Sequence, residues 1–290
     1  DIEHDMVYRL RQVLNLSSAI KRRSLQTIQR AIDNAGASQE DVLVTVFNPS
    51  PRKRTEVITM VIDVPRSKNL RAFQLRNLKD KKVCSTQFVS RQPCLSVVAH
   101  AKDAKAMMEA ERFTIHVDAN DIPSLGYSTF VVEPADAFAN GGLVTSRHTM
   151  ENEWLRVEVK ADGTFNLTHK PTGNTYKNLH YFEDDGGAGM AWMHIAPAYN
   201  QVISSLGCPA EIALEENGPL LARFRITYRM EIPAGLDENG GNPSQRRDGI
   251  GNNARRSDEK RELTIASLLT LRRGSPVLEI DTRVVNRSEC

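Results

Sequence analysis

The sequence predicts a mainly β protein led by one long helix. Two observations predict it: apolar residues recur every three or four positions only at the start, and after Gly36 the period falls to two. A third is the spacing of turn signals, from Asn48-Pro49-Ser50-Pro51 to Pro171-Thr172-Gly173-Asn174. These cut the chain into strands of the kind that build sandwiches.

The helix is expected over residues 1–36. Ile2, Met6, Leu10, Val13, Leu14, Ile20, Leu25, Ile28 and Ile32 trace one apolar stripe. Arg9, Arg11, Lys21, Arg22, Arg23 and Arg30 supply a solvated face, and Asn34-Ala35-Gly36 is a stop signal. Such a stripe must pack on something. No second helix of like quality follows, so its cover is expected from the β region or, preferably, from helices outside this sequence.

Residues 37–135 read as a small β-sandwich, with strands over 42–47, 56–64, 82–89, 94–99, 113–117 and 128–132. The 101–110 run has a helical composition inside what reads as a polar loop. Residues 134–142, rich in Ala, Gly and Asp, form a linker. From 143 to 290 the strands lengthen: 154–159, 164–169, 175–182, 212–214, 220–232, 262–272 and 276–285 suit a large sheet better than a compact barrel. The polar 234–260 run buries little and reads as a mobile loop or an excursion over a neighbouring surface. The chain opens on Asp1-Ile2-Glu3-His4-Asp5 without Met and stops five residues after a strand, so both ends are expected to continue into further polypeptide.

Composition removes several function classes. With 38 basic and 36 acidic side chains the net charge is +2, which gives no overall attraction to nucleic acid or anionic membrane. No apolar run approaches the roughly 18–20 residues of a membrane span, and no signal peptide leads the chain. Four cysteines are too few for a disulfide scaffold. Cys84 and Cys94 stand where a hairpin could pair them, but the expectation is a reduced, cytoplasmic protein.

Candidate chemistry is sparse. The seven histidines are scattered with no His-Glu-x-x-His or paired-Cys spacing, so surface or strand positions are expected and no metal ligands are assigned. There is no Gly-x-Ser-x-Gly elbow. The Gly249-Ile250-Gly251 run lacks the third glycine of a dinucleotide loop. Arg246, Arg247, Arg255 and Arg256 could meet an anionic partner, but a solvated loop is the preferred reading, because Asp248, Asp258 and Glu259 neutralise much of that charge. One stretch, Tyr181-Phe182-Glu183-Asp184-Asp185-Gly186-Gly187-Ala188-Gly189-Met190-Ala191-Trp192-Met193-His194, combines carboxylates, glycines and aromatics. Carboxylates accept sugar hydroxyls, glycines admit close approach, and an aromatic face stacks on a pyranose. Asp184, Asp185, Trp192 and His194 are therefore the candidate substrate-edge residues. The other reading of the same stretch is a glycine-rich turn with solvated acids.

Several motifs in order then carry a resemblance. Met150-Glu151-Asn152-Glu153-Trp154-Leu155-Arg156-Val157, Asp162-Gly163-Thr164 and Glu183-Asp184-Asp185-Gly186 are followed by Gly218-Pro219-Leu220-Leu221-Ala222-Arg223 and Ile232-Pro233-Ala234-Gly235-Leu236-Asp237. Leu271-Arg272-Arg273-Gly274-Ser275-Pro276 and Val285-Asn286-Arg287 complete the order. Upstream stand Val46-Phe47-Asn48-Pro49, Arg54-Thr55-Glu56-Val57 and Leu125-Gly126-Tyr127. Together they resemble the back half of the family 38 glycoside hydrolases, over nearly the whole chain.

The resemblance implies a parent that is a retaining α-mannosidase, with a carboxylate nucleophile, an acid/base carboxylate and a zinc ion. It places the nucleophile and most zinc ligands in an N-terminal α/β barrel missing here, and the last zinc histidine just ahead of the helices that begin here. This chain is thus expected to hold no catalytic residue and to bind no zinc, and Glu3-His4-Asp5 does not match the paired-histidine motif. The helix would be the tail of a three-helix bundle, and 143–290 part of a truncated galactose-mutarotase-like supersandwich. The loop after the acidic turn would reach toward the sugar, with Trp192 where the family usually has Tyr. The expected partners are a mannoside or oligosaccharide substrate and the missing barrel. The alternative is a free-standing carbohydrate-binding or scaffold β protein, with the helix as an interaction element and the 184–192 loop as the binding site.

Overall fold

The computed structural model of the chain describes residues 2–99, 105–188, 193–237 and 255–288. His100, Arg246, Arg247, Asp248, the 249–254 run and Cys290 lie outside the described residues. Among those described, one α-helix precedes twenty strands, so the mainly β architecture with a leading helix holds.

The helix runs Ile2–Arg30 and ends six residues before the end of its sequence signal at Gly36. Asp33 explains the difference: its carboxylate accepts the Ala35 N–H at 2.9 Å, offering the backbone a local partner that competes with the helical one. Gly36 follows at φ +91°, a conformation that suits glycine. The helix has no buried residue, and Leu10, Leu14 and Ile20 are each more than 60% exposed. The described β region therefore does not cover the apolar stripe.

The next strands make two facing sheets. One has the order Leu43–Asn48, Gly126–Pro134, Phe73–Asn77, Val83–Cys84; the other is Arg54–Pro65, Lys105–Ile122, Thr86–Ala99. Their inner faces share one core, in which Phe73, Leu75 and Phe130 of the first sheet meet Val64, Phe113 and Ile115 of the second. Phe73 and Phe113 pack edge to face with centroids 5.1 Å apart. The helical composition of 101–110 is overruled where the structure describes it. Lys105 pairs with Ala99 and the ladder continues to Val117 opposite Thr86, so cross-strand pairing outweighs local propensity. The same ladder runs through Pro93, joining two strands that the sequence separated. Phe73–Asn77 escaped the sequence reading because, at five residues, its alternation of buried Phe73 and Leu75 with polar Gln74 and Arg76 is too short to stand out.

The second pair of sheets is larger. A five-stranded meander, Asn174–Leu179, Phe165–His169, Leu155–Val159, Thr149–Glu151, Val144–Ser146, faces a four-stranded sheet of Ala210–Asn217, Leu221–Pro233, Lys260–Arg272 and Leu278–Val285. Leu221–Pro233 shows why alternation was legible: Phe224, Ile226, Tyr228, Met230 and Ile232 are buried while Arg225, Arg229 and Glu231 are exposed. Asn152 ties two of the sequence motifs together. Its amide donates to the carbonyls of Arg272 (2.6 Å) and Ser275 (2.8 Å), and its carbonyl accepts from Trp154 and Leu155 N–H. Cys84, Cys94 and Cys208 are free thiols.

The two cores meet at a polar seam. Gln87, 4% exposed, uses every hydrogen-bonding position of its amide. Its oxygen accepts the N–H groups of Leu220 (2.8 Å) and Leu221 (2.9 Å); its nitrogen donates to the Leu221 carbonyl (3.1 Å) and to Glu216 Oε1 (2.7 Å). Glu216 also meets His116 Nε2 at 2.8 Å, and His116 Nδ1 meets the Thr59 hydroxyl at 2.8 Å. Because a carboxylate only accepts, His116 Nε2 donates to Glu216, and Nδ1 shares the second hydrogen bond with the Thr59 hydroxyl. Gly218 is required here, since a Cβ at that position would collide with the Gln87 amide. Arg272 donates to the Val57 carbonyl at 3.2 Å and Arg273 pairs with Asp118, extending the seam.

Burial alone would raise the Glu216 carboxyl. Hydrogen bonds from His116 and Gln87 and the Arg223 charge outweigh that and hold it below the ordinary carboxylate range. A depressed folded-state value contributes stability above the unfolded value, and that contribution is lost as pH falls through the depressed one. Denaturant titrations of the wild type should therefore show falling stability on acidification below the ordinary glutamate range, and Glu216→Gln should flatten that dependence. Gln87→Leu strands two buried N–H groups and is expected to cost about 2–4 kcal/mol in urea unfolding. A loss under about 0.5 kcal/mol would contradict the role given to the seam.

Candidate functional site

The acidic, glycine-containing stretch emerges from the second core. Its incoming strand is anchored by an aromatic cluster: the His180 ring lies 4.9 Å from Phe182 and 5.8 Å from Phe165 and from Tyr228, measured between centroids. The Tyr228 hydroxyl donates to the His180 carbonyl at 3.0 Å, fixing a backbone held at φ +71°. His180 Nε2 is buried without a hydrogen-bond partner, and burial pushes its imidazole below the ordinary histidine value, so the ring stays neutral. Gly163, at φ +80°, passes under the Tyr228 ring where no side chain fits.

Beyond Phe182 the base of the loop closes in three layers. Phe182 and Ser205 exchange bonds, Phe182 N–H to the serine hydroxyl and Ser205 N–H to the Phe182 carbonyl, each 2.9 Å. Glu183–Asp184 then pairs antiparallel with Ile203–Ser204. Above this, Arg256 donates to the Asp184 and Gln201 carbonyls at 3.3 and 2.8 Å and pairs with the Asp184 carboxylate. Within the loop, the Asp185 carboxylate takes His194 Nε2 at 2.9 Å and the Asn200 amide. The Asn200 oxygen accepts Gly186 N–H at 3.1 Å, and Ala188 N–H meets the Ile195 carbonyl at 2.7 Å.

The sequence-derived candidates thus separate. Asp185 and His194 come together on the exposed side of the loop. Asp184 turns the other way, into the ion pair with Arg256. Trp192 lies outside the described residues. Hydrogen bonds from Asn200 and His194, the Asn200 contribution larger, hold the Asp185 carboxyl below its ordinary value. Both acids therefore order the loop, whatever else their free lone pairs contact.

Sequence reasoning missed Arg256, Asn200, Gln201 and Ser205. Arg256 was read as a solvated arginine, and the structure corrects this: it is 8% exposed, because Leu236–Asp237 pairs with Arg255–Arg256 and turns the guanidinium inward. Arg255 does remain exposed, bonded to Asp258. Asn200 and Ser205 had no signal beyond their ability to cap turns, and only the fold shows what they face.

Among the described residues no three His, Cys, Asp or Glu side chains converge as a metal site would require. In the candidate loop, Asp185 and His194 are joined by the Asn200 amide rather than by a third ionisable ligand, so this donor set does not fit zinc. A cavity of about 750 Å³ lies elsewhere, along the seam between the two sandwiches, lined by Thr59, Asn120, Asp118, Arg272, Arg273 and Glu279. Its arginines are already engaged by Glu279 and Asp118.

Set beside solved proteins, this arrangement of sandwiches is found in glycoside hydrolases. An α-mannosidase from Enterococcus faecalis V583 superposes on 92% of this chain with a TM-score of 0.79 and 21% identity, using 32% of its own length. A glycosyl hydrolase family 38 protein from Enterococcus faecalis superposes on 92% with a TM-score of 0.77 and 22% identity, using 34% of its length. In sequence, a protein of Halalkalibacterium halodurans described as "Putative mannosylglycerate hydrolase" is 29% identical over 145 residues, half of this chain and 16% of that protein. No family model matches the chain. The chain thus has the fold that its motifs pointed to, and it spans about a third of the solved chains and a sixth of the curated relative.

The Asp185 clamp makes a pH prediction. Its folded-state value is depressed, so the ordering it provides is present above the ordinary aspartate range and lost as pH falls through the lowered value. Hydrogen exchange at Gly186, corrected for the intrinsic pH dependence, should lose protection on acidification, and Asp185→Asn should show the reduced protection already at neutral pH. Protection indifferent to both changes would remove the clamp.

Proposed function

We propose that this chain is a non-catalytic β portion of a family 38 α-mannosidase and that the 184–201 loop forms part of the rim of its substrate site. The correspondence in fold over 92% of the chain carries the reading, supported by the ordered motifs and by the sequence match to a hydrolase. In this reading residues 1–36 end a helical bundle, 37–135 form a small sandwich and 143–290 belong to a larger one. The uncovered stripe of the Ile2–Arg30 helix supports the first of these assignments, because a bundle would supply its missing cover.

The division of labour follows from chemistry. Retaining hydrolysis of a glycoside needs two carboxyl groups facing the scissile bond about 5–5.5 Å apart. Asp184 and Asp185, consecutive on a loop, are directed to different partners, one to Arg256 and the other to His194. They do not face one bond together. The resemblance to family 38 implies that the nucleophile, the acid/base and the zinc ligands lie outside this chain, the nucleophile and most zinc ligands in an N-terminal barrel. It also implies that a mannoside or mannose-containing oligosaccharide is the substrate of the whole. When bound there, zinc would supply a grip on sugar hydroxyls. This chain's own residues hold the loop, with Asp185 and His194 at its exposed side and Trp192 as the proposed aromatic contact. The near-balanced net charge and the free thiols of Cys84, Cys94 and Cys208 support a cytoplasmic enzyme.

The test is direct. The longer polypeptide containing this sequence should hydrolyse 4-nitrophenyl α-mannoside, and the 290-residue chain alone should not. Turnover by the chain alone would contradict its non-catalytic assignment, and an inactive parent would contradict the enzyme assignment.

A further inference from the structure

Arg256 stands out among the charged side chains of the second sandwich. It is 8% exposed and its guanidinium serves both ends of the candidate loop, taking the Asp184 carbonyl and carboxylate at the start and the Gln201 carbonyl at the end. The planar fork suits this task because its donors point in fixed, divergent directions. A lysine ammonium is a single point and cannot hold two chain segments in the same geometry. The Asp184 carboxylate is itself only 19% exposed, so removing the guanidinium would leave a desolvated charge and two carbonyls without that donor.

Arg256 does not belong to the loop that it holds. It sits on the two-residue ladder that Arg255–Arg256 forms with Leu236–Asp237. Its neighbour Arg255 makes a parallel bridge to Tyr199, one residue before the Asn200 that bonds Asp185 and Gly186. Gly186 lies against the Arg256 side chain, and a Cβ there would come within 2.9 Å of Cδ. The short ladder of Leu236–Asp237 with Arg255–Arg256 and the base of the acidic loop are therefore one packed unit.

We propose that Arg256 is a positioning residue: it ties the start of the acidic loop at Asp184 to its end at Gln201 and so sets where that loop stands against the sugar. This rests on the reading that the loop borders a mannoside site. Arg256 touches no substrate and takes no part in bond breaking. Its effect is felt through the loop, so it falls on substrate binding and leaves the chemical step, assigned to another part of the polypeptide, largely alone.

Two measurements test this together. In the 290-residue chain, Arg256→Lys should speed hydrogen exchange at Gly186 and Ala188 by about tenfold or more while amides of Leu221–Pro233 keep their protection. In the full-length polypeptide, the same substitution should raise KM for 4-nitrophenyl α-mannoside about three- to tenfold and leave kcat within about twofold. Arg229→Lys, an exposed arginine paired with Glu211, is the control and should change neither. Unchanged exchange in Arg256→Lys, or faster exchange with unchanged KM, would overturn the proposal. Wild-type polypeptide without mannosidase turnover would instead overturn the functional reading beneath it, a failure recognisable because it precedes any substitution.

Discussion

The structure depends on a small set of polar groups buried together between two apolar cores. Gln87 and His116 come from the first sandwich and Glu216 from the second, and each would be costly to bury alone. Together they satisfy one another and two backbone N–H groups of the turn at Gly218 to Leu221. Apolar contact alone permits two sandwiches to slide, because it is non-directional. A side-chain amide that must meet four partners does not. Any sliding would strand several desolvated donors and acceptors at once, each costing about 1–3 kcal/mol. The seam therefore selects one relative placement of the two cores, and Arg272 and Arg273 reinforce it from the neighbouring turn.

That placement matters for the candidate loop because every layer of its base is tied to the second core. Tyr228 lies in the middle of Leu221–Pro233, the strand whose start meets Gln87. It fixes His180, and Phe182 leads from there into the acidic turn. Order passes outward through packed side chains and then through hydrogen bonds, from a fully paired thirteen-residue ladder to a loop closed by Arg256 and Asp185. The loop is short of apolar burial and relies on directional bonds instead. This is the usual condition of a binding rim, which must be placed by a rigid scaffold without being part of its core.

Much of the scaffold was legible because strand alternation is a local signal. Phe224 to Ile232 alternate with polar and charged residues, and 262–272 and 278–285 show the same period, so their existence could be read directly. Where the signal was weak or contradictory, tertiary pairing decided. Residues 105–110 have a helical composition and lie in a strand, since their partner across the hairpin is already extended. The candidate loop was recognisable from its carboxylates and glycines, but what those carboxylates face was not. Asp184 is 72 residues from Arg256 and Gln87 is 129 from Glu216, and no spacing rule connects such pairs. The helix marks a different boundary of legibility. Its apolar stripe was plain in the sequence, and the described residues show that this stripe is not covered by the strands that follow.

The central claim is that the seam joins the two cores into one cooperative structure, and differential scanning calorimetry of the wild-type chain tests it most directly. Coupled cores unfold together, so a single endotherm covering both sandwiches is expected, with calorimetric and van't Hoff enthalpies in agreement. Two separated endotherms in the unaltered chain would show that the cores melt independently, and would contradict the account.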